Sequence, residues 1–250
     1  MTDRALVATL EERLVNAWPS FEIELMDGWL LRFAEGYSKR ANAASPLRPG
    51  AGLDAAGIAH VEAAFEARGI PVCFRLTGLE DPGAEAALDA AGYADHDPSL
   101  CLVADLDGRL PAVPELVIRP APKPAWIAAA AAAYGGEKAN ADRLGRIVRL
   151  IRQPAAFGTL LLDGEEAAFG LAVAERGWVG LYDIVAAPDR RGLGLGRRLV
   201  AGLLAWGQAQ GAGRAYLQVR DGNAVALALY GSLGFRTAYA YRHRVAADRP

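Results

Sequence analysis

The stretch from Leu181 to Gly196 constrains this chain more than any other part of it. An apolar strand is followed by Pro188, which lacks a backbone N–H and has a fixed φ, so the strand must stop there. Gly192 and Gly194 come next, and glycine can take φ angles that are closed to other residues. Leucines at helical spacing then begin, so the turn leads into a helix N-terminus. Unpaired N–H groups and the helix dipole favour an anion such as phosphate at that position.

The spacing of the glycines separates the known types of phosphate loop. A dinucleotide fingerprint counted from Gly192 needs a glycine where Arg197 stands, and the Gly-Lys-Ser/Thr of a P-loop is absent. The sequence has Arg191-x-x-Gly194-x-Gly196 instead, after a strand and before a helix. This pattern resembles the pyrophosphate loop of the GCN5-related N-acetyltransferases (the GNAT superfamily), Gln/Arg-x-x-Gly-x-Gly/Ala. An ordinary glycine-rich turn with surface arginines is the alternative.

A second motif follows at the separation usual for this superfamily. Asn223 and Tyr230 are two helical turns apart, which predicts that both lie on one face of a helix. Gly234 and Phe235 come next, with the glycine where a left-handed C-cap is expected. The resemblance implies that this helix lies along the acyl-CoA. Asn223 would bond its pantetheine or phosphate arm, and Tyr230 would protonate the departing thiolate; packing of Tyr230 into the core is the alternative.

The resemblance also implies that the strand before the loop exposes backbone groups to the pantetheine. The cofactor-binding residues that it implies are Ile184, Val185, Ala186, Arg191, Gly192, Leu193, Gly194, Leu195, Gly196, Arg197 and Asn223. The acceptor amine must lose a proton to attack, and Asp183 is the candidate base, acting directly or through water. A structural carboxylate at Asp183, and Glu137 as the base instead, are the alternatives. No Ser-His-Asp or Cys-His arrangement is evident, which favours direct attack over a covalent acyl-enzyme.

The first half of the chain repeats the order of elements found in the second half. A strand, a short helix, a Gly-aromatic pair and another strand follow one another at 70–106 and again at 215–245. The first copy lacks both motifs, so we expect it not to bind CoA. The sequence therefore predicts a degenerate GNAT-like lobe over 1–108 and a catalytic domain over 109–250. The expected class is mixed α/β (α+β), a tandem acyl-CoA N-acyltransferase fold with a central, mostly antiparallel sheet flanked by helices.

Composition excludes several other functions. With 52% hydrophobic and 22% charged residues the chain is globular, and its net charge of −2 does not favour nucleic acid or an anionic membrane. Three scattered histidines give no ligand spacing, so no metal is expected. Cys73 and Cys101 lie in apolar runs, which fits free thiols in a reducing compartment, and the N-terminus is too charged for a signal peptide. A cytoplasmic location is expected.

These observations predict an N-acetyltransferase that moves an acetyl group from acetyl-CoA to a primary amine in a ternary complex. An acyl-CoA-binding sensor without catalysis is the alternative, and a hydroxyl at Tyr230 favours the enzyme. The acceptor stays open between a small molecule and a protein amino group, and the chain between a monomer and a homodimer. The resemblance implies that residues 125–151 and the tail strands build the acceptor groove. Tyr37, Arg40 and Asn42 either contribute to it or pack between the lobes.

Overall fold

The computed structural model describes residues 3–132 and 138–246 of the chain. They divide into two compact units. The described residues of unit 1 fall within 1–100, 220–222 and 238–250, and those of unit 2 within 101–219 and 223–237. Compactness groups residues in space and not by ancestry, so the lobe boundary after residue 108 stays a prediction. Both units combine helices with a mixed sheet, which confirms the expected class.

The helices and strands of unit 1 come mainly from the first part of the chain. Its helices are α1 (Arg4–Ala17), α2 (Ala55–Glu66) and α3 (Pro82–Ala90). The strands that begin there are β1 (Glu22–Met26), β2 (Trp29–Phe33), β3 (Ala44–Pro46), β4 (Cys73–Leu76) and β5 (Tyr93–Asp105). With β11 (Arg236–Ala246) they follow the order β1-β2-β3-β4-β11-β5. Strands β3 and β4 are parallel, whereas β1/β2, β2/β3 and β4/β11 are antiparallel.

Unit 2 contains both motifs, the glycine loop and the Asn223–Phe235 segment. Its helices are α4 (Pro124–Ala132), α5 (Lys138–Arg149), α6 (Leu195–Ala209) and α7 (Ala224–Gly231). Its strands after β5 are β6 (Leu116–Arg119), β7 (Ala155–Leu162), β8 (Glu165–Glu175), β9 (Trp178–Ala186) and β10 (Arg214–Arg220). The order is β5-β10-β9-β8-β7-β6. The pairs β6/β7, β7/β8 and β8/β9 are antiparallel, and β9 pairs parallel with β10.

Two strands differ from the sequence-based prediction. Strand β3 was not predicted, because its three residues are too few to show an alternating pattern and end in Pro46. Strand β5 begins at Tyr93, whereas the apolar pattern of the sequence predicts a strand only over 99–106. The residues in between, Ala94 to Pro98, are polar or turn-forming, so their sequence reads as a loop.

Glycines on both sides of the α6 interface bring that helix close to the sheet. A Cβ on Gly170 of β8 would lie 3.0 Å from Leu203 Cδ1, and one on Gly207 of α6 would lie 2.6 Å from Val179 Cβ. Side chains at these positions would force the helix away from the strands. The close packing therefore fixes where α6 begins, which is the end that carries the glycine loop.

A buried ionic cluster stabilises the packing of α1 in unit 1. The Arg75 guanidinium of β4 donates two hydrogen bonds to Glu11 of α1, and the Tyr239 hydroxyl of β11 donates to the same carboxylate. The guanidinium also lies 4.1 Å from the ring centroid of Tyr241. Removing one partner would leave a buried charge uncompensated, so the cluster specifies how α1 docks on β4 and β11. The sequence did not predict this long-range pair.

Candidate active site

The first turn of α6 has an open N-terminus. Gly194 is its N-cap, with φ +72°, and no side chain caps the helix there. Gly192 also has a positive φ, +81°, and a Cβ at either glycine would meet nothing within 4 Å. The side chain of Asp54 caps α2 in unit 1 by accepting from the Gly57 N–H, whereas α6 has no such cap. The N–H groups at the start of α6 are therefore accessible to an anionic ligand.

The structure places the predicted loop residues in two groups. Arg191, Gly192, Leu193, Gly194 and Arg197 are exposed. Leu195 is buried, so its side chain belongs to the core and only its backbone can face a ligand. Gly196 packs towards α7, since a Cβ there would lie 3.4 Å from Leu229 Cδ2. The glycines at 192 and 194 therefore leave the backbone of the loop accessible, which is the arrangement that a phosphate loop needs.

A β-bulge interrupts the pairing of β8 and β9 at the predicted base. Leu171 pairs with Tyr182 and Phe169 pairs with Val185, so Gly170 alone stands opposite Asp183 and Ile184. Asp183 is buried and has φ +49°, a value that aspartate tolerates better than most residues. The Trp126 indole of α4 donates to the Gly170 carbonyl at 3.3 Å, which supports the backbone at the bulge.

Strands β9 and β10 pair only along their first halves. Their parallel register joins Trp178–Leu181 to Arg214–Leu217, although β9 continues to Ala186 and β10 to Arg220. The carboxyl-terminal half of β9 therefore diverges from its neighbour after Leu181, just before the bulge. Ile184, Val185 and Ala186 lie on that half and are partly exposed. The three predicted pantetheine-facing residues thus lie where the two strands separate, and β9 leads directly to the loop.

Two tyrosines that the sequence did not indicate lie where the paired part of β9 and β10 ends. The hydroxyls of Tyr182 and Tyr216 are 2.6 Å apart and buried. Gly180 makes room for them, because a Cβ there would lie 2.7 Å from the Tyr216 hydroxyl. Burial, and then the proximity of Tyr182, raise the pKa of Tyr216 well above its usual range. Tyr216 thus stays protonated, and its contact with Tyr182 tethers the two strands at this point. Only the small residue at 180 between larger apolar neighbours hints at it in the sequence.

Tyr230 lies in the last turn of α7 and is 8% exposed. Its ring packs edge-on against Phe235 at 5.8 Å between centroids, and the Phe235 N–H donates to the Tyr230 carbonyl. Gly234 has φ +81°, as predicted for the C-terminal turn. Burial raises the pKa of Tyr230 to about 12, so the phenol keeps its proton at neutral pH and could serve as a proton donor but not as a base.

The predicted position of Asn223 needs a correction. The residue was predicted to lie on one helix face with Tyr230, but it is the N-cap of α7, one residue before the helix begins. Its side-chain oxygen accepts from the Ala226 N–H at 3.1 Å. An asparagine before an apolar helical run is a standard N-cap signal, so the sequence could have indicated this role. The amide nitrogen of Asn223 is the part that can donate to a ligand.

The other suggested residues are distributed as follows. Glu137 lies outside the described residues. Asn42 is buried in unit 1, where its side chain accepts from Ala34 and Gly36 and donates to the carbonyls of Tyr37 and Ser38. The Arg40 guanidinium lies 4.8 Å from the centroid of the Trp18 ring. Tyr37 is 5% exposed. Asn42 therefore folds the 34–42 loop of unit 1.

The described residues contain neither a metal-binding cluster nor a membrane-spanning helix. Within 3–132 and 138–246, no three His, Cys, Asp or Glu side chains come together in a way that could hold a metal ion. Across those ranges no helix combines the length and apolar character needed to span a bilayer.

Comparison with known proteins decides the family. The model of the C-terminal region of the probable histone acetyltransferase Rv0428c matches residues 5–244, nearly the whole chain. The chain belongs to this family. It is thereby a member of the GNAT superfamily and an acyltransferase, and acetyl-CoA is the co-substrate that this superfamily uses.

Two relatives and one solved structure support this assignment. The uncharacterized N-acetyltransferase YobR of Bacillus subtilis is 26% identical over 242 residues, covering 94% of this chain and 96% of YobR. The probable histone acetyltransferase Rv0428c of Mycobacterium tuberculosis is 29% identical over 254 residues, covering 96% of this chain and 74% of that protein. A GCN5-related N-acetyltransferase from Kribbella flavida has a TM-score of 0.70 at 19% identity, covering 100% of this chain and 97% of its own. The last likeness shows the fold.

We expect Gly194→Val to abolish acetyl-CoA binding in a protein that still folds. Valine at φ +72° costs about 1–2 kcal/mol, and its β-branched side chain would fill the space in front of the first α6 N–H groups. Binding is measured by titration calorimetry and folding by thermal melting.

Gly164→Val is the matched control, because Gly164 in the β7–β8 turn also has a positive φ, +84°, and open space around it. It carries the same strain away from the loop and should bind normally. Normal binding by Gly194→Val would show that the ligand does not approach this turn.

Proposed function

We propose that the chain transfers an acetyl group from acetyl-CoA to a primary amine by direct attack in a ternary complex. The observation that carries the proposal is the open N-terminus of α6, which follows directly from the diverging half of β9. A parallel strand pair that separates at its carboxyl end makes a cleft, and a helix N-terminus at its mouth can hold phosphate. A thioester with a pyrophosphate arm has the charge and shape for that arrangement.

Each predicted cofactor residue has a role in this proposal. The backbone N–H groups of 191–197 would bind the pyrophosphate, with Arg191 adding charge. Backbone groups of Ile184, Val185 and Ala186 would bond the pantetheine amides, because that part of β9 has left its β10 partner. The Asn223 amide nitrogen would donate to the same arm while its oxygen caps α7.

The chemistry needs two proton transfers. The acceptor amine, freed of its proton, attacks the thioester carbonyl carbon, and the tetrahedral intermediate then breaks its C–S bond. We assign Asp183 as the base that takes the amine proton, directly or through water, and Tyr230 as the acid that protonates the leaving sulfur. With a pKa of about 12 the phenol is protonated at neutral pH, so it carries the proton that the leaving sulfur takes up.

Direct attack agrees with the positions of the other nucleophiles. Cys101, the cysteine of unit 2, is fully buried. Burial raises the pKa of the Cys73 thiol in unit 1 to about 12, which leaves it a poor nucleophile. All three histidines of the chain, His60, His96 and His243, belong to unit 1. An acyl-enzyme on cysteine is therefore not supported by what surrounds either thiol.

We further propose that residues 1–108 are the degenerate copy and do not bind CoA. Strands β3 and β4 are parallel, as β9 and β10 are, and in both halves of the chain a helix then leads to a Gly-aromatic pair and a strand. Asp54 caps α2 where Gly194 leaves α6 open. Its carboxylate accepts from the Gly57 N–H and would repel phosphate. The acceptor amine stays open between a small molecule and a protein amino group, and two free thiols fit a cytoplasmic location.

Tyr230→Phe should reduce kcat about 10- to 1,000-fold, as expected for loss of one acid–base group. Acetyl-CoA affinity should stay within a factor of about two, because the ring remains packed on Phe235. Acetyl transfer to a panel of amines and CoA release are the measurements.

Tyr93→Phe is the control, since it removes a phenol that bonds Glu62 in unit 1 and should leave kcat unchanged. An unchanged kcat in Tyr230→Phe would reject the acid assignment. Tight binding of acetyl-CoA by the wild-type protein with no transfer to any amine would favour the sensor alternative.

Asp183→Asn should lower kcat/KM by a factor of about 10² to 10⁴ and remove the acidic limb of its pH profile. Asparagine tolerates a positive φ, so the bulge should persist. The test is the pH dependence of kcat/KM.

Asp163→Asn is matched to it, because Asp163 also has a positive φ, +53°, but lies in the β7–β8 turn. Full activity of Asp183→Asn with an unaltered pH profile would mean that the carboxylate only shapes the strand.

A further inference from the structure

The four arginines around the loop, Arg190, Arg191, Arg197 and Arg198, differ in whether a carboxylate compensates their charge. Arg190 pairs with Glu165 at 2.7 Å and Asp189 at 3.2 Å, and Arg198 pairs with Glu115 at 2.8 Å. Arg191 and Arg197 are exposed, and no carboxylate among the described residues pairs with either of them. Two uncompensated positive charges therefore remain at the mouth of the cleft.

Arg197 stands where a cation is electrostatically unfavourable. It lies in the first turn of α6, at the positive end of the helix dipole, and that turn contains no acidic residue. Arg198 is adjacent to it, but the ion pair with Glu115 offsets its charge. A positive charge kept at the wrong end of a helix without a carboxylate is what an anionic ligand would require.

The side chain of Arg197 is directed to α7 and held there. Its Nη1 donates to the Ser232 hydroxyl at 2.6 Å, and that hydroxyl donates to the Leu229 carbonyl. Ser232 is the C-cap of α7, so the guanidinium lies at the C-terminal end of that helix. Arg197 is thus fixed beside the glycine loop with a neutral partner only, and its remaining N–H groups can donate to a phosphate.

The charges of CoA indicate which of its phosphate groups Arg197 would bind. The pyrophosphate of CoA is a diester, which the α6 N–H groups and Arg191 can hold. The ribose also carries a 3′-phosphate, a monoester with close to two negative charges at neutral pH. We propose that Arg197 recognises this 3′-phosphate and makes the protein select CoA over its 3′-dephospho form. The inference rests on the proposed function of the same cleft.

The test compares binding of CoA and 3′-dephospho-CoA to the full chain by titration calorimetry at low salt. Wild type should bind CoA about ten-fold more tightly or better, and the ratio should fall as salt is added. Arg197→Gln, which keeps a donor for Ser232, should bring the ratio to about two while leaving dephospho-CoA affinity unchanged.

Arg198→Gln is the matched control, because its charge is already paired with Glu115, and it should keep the wild-type ratio. Equal binding of the two ligands by wild type, or an unaltered ratio in Arg197→Gln, would overturn the inference and leave the proposed cleft intact. A purely structural role at the α7 C-terminus would lower the melting temperature of Arg197→Gln without changing the ratio. Binding of neither ligand would overturn the proposed function itself.

Discussion

The β-bulge at Asp183 and Ile184 is the constraint on which the rest of the candidate site depends. It sets one residue of β8 against two of β9, and the parallel pairing of β9 with β10 ends just before it, at Leu181. Backbone groups that a sheet would otherwise use become available to a ligand. Gly170 and Gly207 let α6 pack closely on the strands, so the first turn of α6 is held beside the diverging half of β9. The cleft therefore follows from backbone geometry more than from reactive side chains.

The two units differ in how the N-terminus of a helix is capped. In unit 2, α6 begins at a glycine with a positive φ, and its donors are open. In unit 1, Asp54 supplies a carboxylate to the start of α2, and Asp81 does the same for α3. A capped helix is more stable, by about 0.5–2 kcal/mol, but it offers no site to an anion.

The sequence predicted what depends on local rules. Gly192 and Gly194, the turn at Asp163 and Gly164, and the C-terminal turn after Tyr230 all have their expected conformations, since each rests on residues close in the chain. The bulge could not be predicted, because no local signal marks the positive φ of Asp183. The buried Glu11–Arg75 pair and the Tyr182–Tyr216 contact could not be predicted either, because each joins residues that are far apart in sequence. The sequence could have indicated that Asn223 is a cap, but its seven-residue spacing from Tyr230 suggested a shared helix face instead.

Titration calorimetry of the purified wild-type chain with acetyl-CoA, free CoA and NADH tests the cleft most directly. All three ligands carry a pyrophosphate, but only the first two have the pantetheine arm that the diverging half of β9 would bind. We predict dissociation constants on the order of micromolar for acetyl-CoA and CoA, with no heat from NADH. Absence of CoA binding would mean that the glycine loop is only a turn, and equal binding of NADH would mean that the loop recognises phosphate without the β9 backbone.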